Sequence, residues 1–75
     1  MKNIDIKTVC QELKALSRQE KQDVLEALHC WAYDELFPDE ISDAAMKVAV
    51  QLMHVCSTSE ALKIVEWGLK DEAGN

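Results

Sequence analysis

The side chains of this chain that could bind a metal or act as nucleophiles are three cysteines and two histidines: Cys10, Cys30, Cys56, His29 and His54. Zinc sites usually bring two such ligands within a few residues of each other, as in C-x2-C or H-x3-H. No such pair occurs here, and the adjacent His29 and Cys30 would point about 100° apart on a helix. We therefore predict no metal site and no cofactor, and we expect Cys10 and Cys56 to be reduced thiols packed in the core.

Nucleophilic catalysis by a thiol also needs a base within hydrogen-bond reach and a site for the oxyanion. The chain has no glycine-rich turn and no long loop that could build one. Its two glycines are Gly68, on the packing face of a predicted helix, and Gly74, in the C-terminal tail. The sequence therefore predicts a protein that is not an enzyme and has no catalytic residue.

The charge distribution points to a binding function and to one region of the chain. The chain has 8 basic and 14 acidic residues, a formal net charge of −6, which disfavours direct binding to nucleic acid. Residues 22–46 contain no Lys or Arg and supply seven of the carboxylates: Asp23, Glu26, Asp34, Glu35, Asp39, Glu40 and Asp43. A surface made by this segment would attract a basic partner.

Apolar residues recur at intervals of three and four along most of the chain, the spacing of amphipathic helices. We predict an all-α fold, one small domain spanning residues 1–75, with four helices over about 5–16, 18–37, 41–56 and 58–70 and a frayed tail at 71–75. The third helix has apolar residues on most of its circumference, because Met46, Val50 and Met53 widen its face. It should therefore be the most buried.

Two of the three connections between helices carry a capping signal. Ser17 with Glu20, and Ser57 with Glu60, have the spacing of a capping box. A single capping serine is too short for the loop of an ordinary helical hairpin, so the flanking helices should meet at sharp corners. Pro38 disfavours helical geometry in the preceding residue and should end the second helix at about residue 37.

Residues 16–25, Leu-Ser-Arg-Gln-Glu-Lys-Gln-Asp-Val-Leu, resemble the opening of the helix-turn-helix in sigma-factor and LuxR-type regulators. In those families a capped helix starts L-S-x-x-E and continues into V-L. The later glycine turn and the basic recognition helix of that pattern are missing here, and residues 38–46 carry three acids instead. The resemblance covers about ten residues and implies no function for this chain.

The second helix has two apolar stripes. The main one consists of Val24, Leu25, Leu28, Trp31, Ala32 and Leu36, and the other consists of Ala27, Cys30, Tyr33 and Phe37, roughly opposite to it. The second stripe either packs inside the domain or meets a partner, and the sequence leaves both alternatives open. Burial by pairing of two second helices about a two-fold axis would make the protein a homodimer.

Asp34 and Glu35 fall in the predicted last turn of this helix, where the helix dipole disfavours anions, so they are the first acids to consider functional, with an ordinary solvated face as the open alternative. Beside an aromatic pair, they resemble an interface with an apolar centre and a charged rim. We predict that the partner-binding residues are Cys30, Tyr33, Asp34, Glu35, Phe37, Asp39 and Glu40.

These observations together predict a small acidic helical module that binds a basic protein surface. It would be an inhibitor, an antitoxin-like factor or an adaptor, with an origin in a phage or other mobile element as a further hypothesis. The alternative is a homodimeric transcription regulator or accessory factor with a helix-turn-helix-like element. The lack of an apolar run of about 18 residues and of an apolar segment after Lys2 predicts a cytoplasmic protein without a membrane span.

Overall fold

The computed structural model describes residues 5–36 and 40–73 of the chain, and these form four α-helices. The helices are α1 (Ile6–Ala15), α2 (Arg18–Tyr33), α3 (Asp43–Val55) and α4 (Thr58–Ala73). No strand occurs in these two ranges. The prediction of an all-α fold with four helices is confirmed.

Each helix begins at a residue whose side chain accepts a hydrogen bond from the first turn. Asp5 accepts from the amide of Thr8 at 2.8 Å, and Ser17 accepts from the amide of Glu20 at 3.2 Å. The carboxylate of Glu20 returns a bond to the amide of Ser17 at 3.0 Å, so the predicted capping box is present. Ser57 and Glu60 make the same reciprocal pair, at 3.3 and 3.2 Å. Both predicted capping boxes are confirmed.

The connections beside these two boxes are as short as the sequence predicts. Leu16 and Ser17 join α1 to α2, and Cys56 and Ser57 join α3 to α4. Leu16 and Cys56 have extended backbone, with ψ of 152° and 174°, which ends one helix directly before the serine that starts the next. The chain therefore changes direction within two residues at both corners.

The start of α3 lies against the start of α2. Ser42 is the N-cap of α3: its hydroxyl accepts from the amide of Ala45 at 3.1 Å and donates to the second carboxylate oxygen of Glu20 at 3.4 Å. Further along the two helices, Trp31 of α2 lines the same surface depression as Val50 of α3. Glu20 and Ser42 are 22 positions apart, and Trp31 and Val50 are 19 positions apart. Because the start of α2 lies beside the start of α3 and the later parts also lie together, the two helices run side by side in the same direction.

In the structure the second helix ends at Tyr33 rather than at the predicted residue 37. The parallel arrangement of α2 and α3 explains the difference. The chain must return from the end of α2 to its start, a distance of about 24 Å for 16 helical residues. The nine residues from Asp34 to Ser42 can span about 30 Å when extended. A helix continuing to residue 37 would be about 30 Å long and would leave five residues, reaching about 17 Å, which is too short.

The other helix ends differ from the predictions by one to three residues. The first helix ends at Ala15 rather than at residue 16. The third helix spans Asp43–Val55 rather than 41–56, and it starts later because its N-cap is Ser42. The last helix runs to Ala73, three residues past its predicted end and into the segment expected to fray. No glycine or proline interrupts this segment before Gly74.

A single cluster of small and medium-sized apolar side chains joins all four helices. Its buried members are Val9, Leu13, Val24, Ala27, Leu28, Ala45, Val48, Ala49, Leu52, Ala61 and Val65. Four of the eleven are alanines, which let the helices approach closely but bury little area each. The core is therefore small, and losses of about 1 kcal/mol at the helix caps are a substantial fraction of the stability of such a domain.

We expect Ser17→Ala and Ser57→Ala each to lower the free energy of unfolding by about 1 kcal/mol, because each leaves amides of a helix start without their partner. Urea unfolding followed by circular dichroism measures the effect as a lower midpoint at unchanged slope. Ser59→Ala, an exposed position inside the first turn of α4, is the matched control and should leave the midpoint unchanged or slightly raised. Equal midpoints for all three variants and the parent would refute the role of the caps.

The same boxes predict a dependence of stability on pH. Hydrogen bonds from the amides of Ser17 and Ser57 lower the pKa values of Glu20 and Glu60 below the usual range. Depressed folded-state pKa values give stability that is complete above the unfolded pKa, about 4.3, and is lost as the pH falls through the lower folded values.

The double variant Glu20→Gln, Glu60→Gln tests whether these two carboxylates contribute to the loss of stability at low pH. Glutamine also serves in a capping box, so the caps remain while two titrating groups are removed. We expect the unfolding free energy of this variant to fall less steeply than that of the parent as the pH is lowered below about 5. Parallel curves for the two proteins would show that these carboxylates do not control acid unfolding.

Candidate functional site

The predicted partner-binding residues lie at and after the C-terminal end of α2. Tyr33, Asp34, Glu35 and, further along the connection, Glu40 are exposed. Phe37 and Asp39 lie outside the described residues. Cys30 differs from the others, because it is 6% exposed and belongs to the interior.

Cys30 was predicted to be a partner-binding residue, but its side chain is buried and does not belong to the exposed surface that the other described members form. Its thiol donates to the carbonyl oxygen of Leu36 at 3.2 Å, so the side chain holds the start of the returning segment against the helix end. Burial, followed by the negative charges of Glu35 and Glu26, raises the pKa of the Cys30 thiol. The sulfur therefore keeps its proton at neutral pH and remains a hydrogen-bond donor.

The two apolar stripes predicted for α2 are not separate faces in the structure. Ala27 and Cys30, assigned to the second stripe, are buried beside Val24 and Leu28 of the main stripe. The later members of the main stripe, Trp31, Ala32 and Leu36, are exposed instead. The buried face of α2 thus lies between the predicted stripes. The alternative in which the second stripe packs inside the domain holds for Ala27 and Cys30 but not for Tyr33.

Asp34 has a strained backbone at the point where α2 ends. Its φ of 55° and ψ of 43° are in the left-handed region, and it is the one residue other than glycine with positive φ in the described ranges. The amide of Glu35 donates to the carbonyl of Cys30 at 2.9 Å, the long hydrogen bond of a Schellman-type helix end. Glycine is the usual residue at this position, because it has no Cβ to clash.

Asp34 is therefore the C-cap of α2, and Glu35 lies beyond the helix, which corrects their predicted place in its last turn. A carboxylate is still unfavourable here, because it lies at the negative end of the helix dipole. Asp34 thus combines an unfavourable backbone conformation with an unfavourable charge. Residues that are poor for stability in two independent ways mark candidate functional positions.

Two exposed apolar side chains lie beside these acids. Tyr33 is 64% exposed and packs its ring at 5.7 Å from the ring of His29, one turn earlier in α2. Leu36 is 96% exposed, because the chain has already left the helix at this residue. We call Tyr33, Asp34, Glu35, Leu36 and, further along the same connection, Glu40 together the acidic surface; along the chain, Asp34 and Glu35 lie between its two apolar side chains.

A second apolar area, which includes none of the predicted partner-binding residues, lies between α2 and α3. It is an open depression of about 290 Å³ lined by Trp31, Val50, Met53 and His54. The predicted third helix was expected to be the most buried, yet Val50 and Met53 are exposed. Their i, i+3 spacing on the edge of the apolar face was the available signal, but it indicates a contact without showing whether the contact is internal. We call these four residues the α2–α3 groove.

All the described aromatic side chains other than histidine are exposed: Trp31, Tyr33 and Trp67. The core contains none of them and is built from Val, Leu, Ala and the Cys30 thiol. Aromatic side chains bury the largest apolar area of any residue and usually dominate a core. A chain that leaves them at the surface while it builds its core from alanine and valine offers them for contacts with other molecules.

The remaining thiols are less buried than predicted. Cys10 and Cys56 are each at an intermediate level of exposure, because they lie at the edge of the packing face of their helices. The Cys56 thiol donates to the carbonyl of Leu52 at 3.2 Å, and burial, followed by the charge of Glu60, raises its pKa.

Residues 5–36 and 40–73 contain no cluster of three or more Cys, His, Asp or Glu side chains arranged to hold a metal ion. Within the same ranges, no helix combines the length and the apolar character needed to cross a membrane.

We expect Asp34→Gly to raise the free energy of unfolding by up to about 1 kcal/mol, because glycine adopts the left-handed conformation without strain and the unfavourable charge is removed. Glu35→Gly, at a residue without positive φ, is the matched control and should be neutral or destabilising. The midpoints of urea unfolding measure the change in stability of both variants. A lower midpoint for Asp34→Gly would show that the Asp34 side chain stabilises the fold and has no cost that a function must explain.

Comparison of this chain with models of protein families, with curated proteins and with solved structures finds no match. The candidate site is therefore defined by its own geometry: the acidic surface at the end of α2 and the adjacent α2–α3 groove.

Proposed function

We propose that this chain is a small helical module that binds a basic surface of another protein through the acidic surface. The observation that carries the proposal is the pair Asp34 and Glu35, exposed at the negative end of the α2 dipole, with Asp34 in a left-handed conformation. Both features are unfavourable for the chain alone. A cationic group of a partner at the end of α2 would offset the unfavourable charge.

The surrounding side chains support a protein rather than a small molecule as the partner. Tyr33 and Leu36 present apolar area that a partner can bury, and the carboxylates beside them supply the polar rim of an interface. The nearest depression is open and shallow, unlike the concave pockets that enclose small ligands. The proposal includes no catalytic step.

In mechanism, the carboxylates act on the approach of the partner and the apolar groups act on the lifetime of the complex. Residues 22–46 carry seven acids and no Lys or Arg, so their field attracts a basic surface over about a Debye length, roughly 10 Å at 0.1 M salt. Once the partner has bound, the apolar side chains of Tyr33 and Leu36 lose their contact with water and pack against the partner, which slows its dissociation. Such a module would function as a cytoplasmic inhibitor, antitoxin-like factor or adaptor that covers a basic surface.

We expect the triple variant Asp34→Asn, Glu35→Gln, Glu40→Gln to bind the partner with a slower association rate and a flatter dependence on salt, because rim charges act mainly on encounter. A second triple variant, Glu12→Gln, Glu66→Gln, Glu72→Gln, removes the same charge outside residues 22–46 and is the matched control. Leu36→Ala should mainly increase the dissociation rate.

The partner is first recovered by affinity capture from an extract of the organism that makes the protein, with the parent and both triple variants used in parallel. The proposal predicts a basic protein that the parent and the control retain and that the acidic-surface variant loses. Surface plasmon resonance with that protein then gives the rates. An acidic-surface variant that associates as fast as the parent at low salt, or capture of DNA instead of protein, would contradict the proposal; the second result favours the transcription-regulator alternative.

A further inference from the structure

Cys30 is buried, yet it does not belong to the apolar cluster that joins the four helices. It lies on α2, one turn before the left-handed residue Asp34 at which the helix ends. Its thiol donates a hydrogen bond to the carbonyl of Leu36, six residues later and outside the helix. Cys30 therefore connects the end of α2 to the segment that carries the acidic surface.

The backbone of Cys30 makes a second connection to the same segment. Its carbonyl accepts the amide of Glu35 at 2.9 Å, while its thiol lies 3.2 Å from the carbonyl oxygen of Leu36. Two consecutive residues of the acidic surface are thus held by one residue of the helix. The first bond closes the helix and is available to any residue at this position, whereas the second requires a donor in the side chain.

The Leu36 side chain has little packing of its own to fix its position. It is 96% exposed, so it contributes almost no buried area to the fold. An exposed leucine beyond a helix end samples several orientations unless its backbone is held. The thiol bond holds that backbone, and it keeps Leu36 beside Asp34 and Glu35 before any partner arrives.

The thiol of Cys56 makes a bond of the same length to a different kind of acceptor. It donates to the carbonyl of Leu52 at 3.2 Å, four residues earlier, in the last turn of its own helix. That bond joins a helix end to itself and positions no residue of the acidic surface. The bond from Cys30 instead crosses from the helix to an exposed segment, so its loss changes a surface.

We propose that Cys30 is a positioning residue of the acidic surface: its thiol fixes Leu36 beside Asp34 and Glu35, in the arrangement that a basic partner binds. Cys30 does not touch the partner and acts through Leu36. This inference rests on the proposed function for the partner and on the two hydrogen bonds for the geometry. A surface that is ordered before contact loses less conformational entropy on binding, so the thiol slows dissociation of the complex.

Cys30→Ala and Cys30→Ser form a matched pair of variants. Alanine and serine have nearly the same volume and both remove the sulfur, but serine keeps a side-chain donor for the Leu36 carbonyl. Backbone amide relaxation, measured by NMR on the free protein, reports the order of the Leu36 amide without a partner. We expect order parameters of about 0.85 in the parent and in Cys30→Ser, and below about 0.6 in Cys30→Ala.

Surface plasmon resonance with the basic protein that the parent captures then measures the effect on binding. Neither substitution changes a charge, so both variants should associate at the rate of the parent. We expect Cys30→Ala to dissociate about fivefold faster than Cys30→Ser, the equivalent of one hydrogen bond. Cys56→Ala, which loses a thiol bond of the same kind at the end of α3, is the matched control and should dissociate like the parent.

Far-UV circular dichroism checks that the variants fold. If Cys30→Ala does not, Cys30→Val and Cys30→Thr replace the pair, because valine and threonine have nearly the same shape and differ in the hydroxyl donor. The order of the Leu36 amide and the dissociation rate are then compared between these two variants in the same way.

Three results would overturn the proposal: a Leu36 amide as ordered in Cys30→Ala as in Cys30→Ser, equal dissociation rates for these two variants, or a Cys56→Ala variant that dissociates as fast as Cys30→Ala. Failure of the proposed function gives a different result, because the parent then captures no basic protein. The order of the Leu36 amide still decides, in that case, whether the thiol positions this segment.

Discussion

The physical constraint on which the rest of the structure depends is the side-by-side start of α2 and α3. One oxygen of the Glu20 carboxylate accepts the amide of Ser17, and the other accepts the hydroxyl of Ser42, so a single side chain serves the beginnings of two helices. The positive ends of two helix dipoles meet at this carboxylate, which is a favourable arrangement. Because the chain must return along the whole length of α2 to reach this point, the helix has to end early.

The early end of α2 has consequences for the surface. At Asp34 the backbone takes a left-handed conformation, and Leu36, which would have continued an apolar stripe in a longer helix, becomes exposed. Cys30, which would have been on a free stripe, becomes the buried donor that holds Leu36 in place through its carbonyl. The acidic surface is thus a product of the turn that the parallel placement of α2 and α3 requires.

The small core explains why apolar residues remain available for contacts. Alanines at four of its positions bring the helices together closely, and the interior that remains accommodates valine and leucine but no described aromatic ring. Trp31, Tyr33 and Trp67 lie outside for this reason. A protein of this size gains little from such residues at its surface when it is alone, so their exposure is a second physical argument, beside the acids at the end of α2, for contacts with other molecules.

The sequence by itself determined the helical fold, because its information is local. The spacing of apolar residues and the pairs Ser17 with Glu20 and Ser57 with Glu60 act within one or two turns, and the four helices and both corners follow from them. The exposure of Asp34, Glu35 and Glu40 was also predictable, since the acid run and the proline mark a surface connection, whereas the sequence left the exposure of Tyr33 open.

The tertiary structure alone decided the end of α2, the burial of Cys30 and the exposure of Trp31, Val50 and Met53. Each depends on which helix lies beside which, and hydrophobic periodicity identifies a face without identifying its neighbour. The contact between Ser42 and Glu20, 22 residues apart, joins the starts of two such neighbours, and no local pattern in the chain specifies it. The acids at the end of α2 could therefore be found from the sequence, whereas the groove beside them could not.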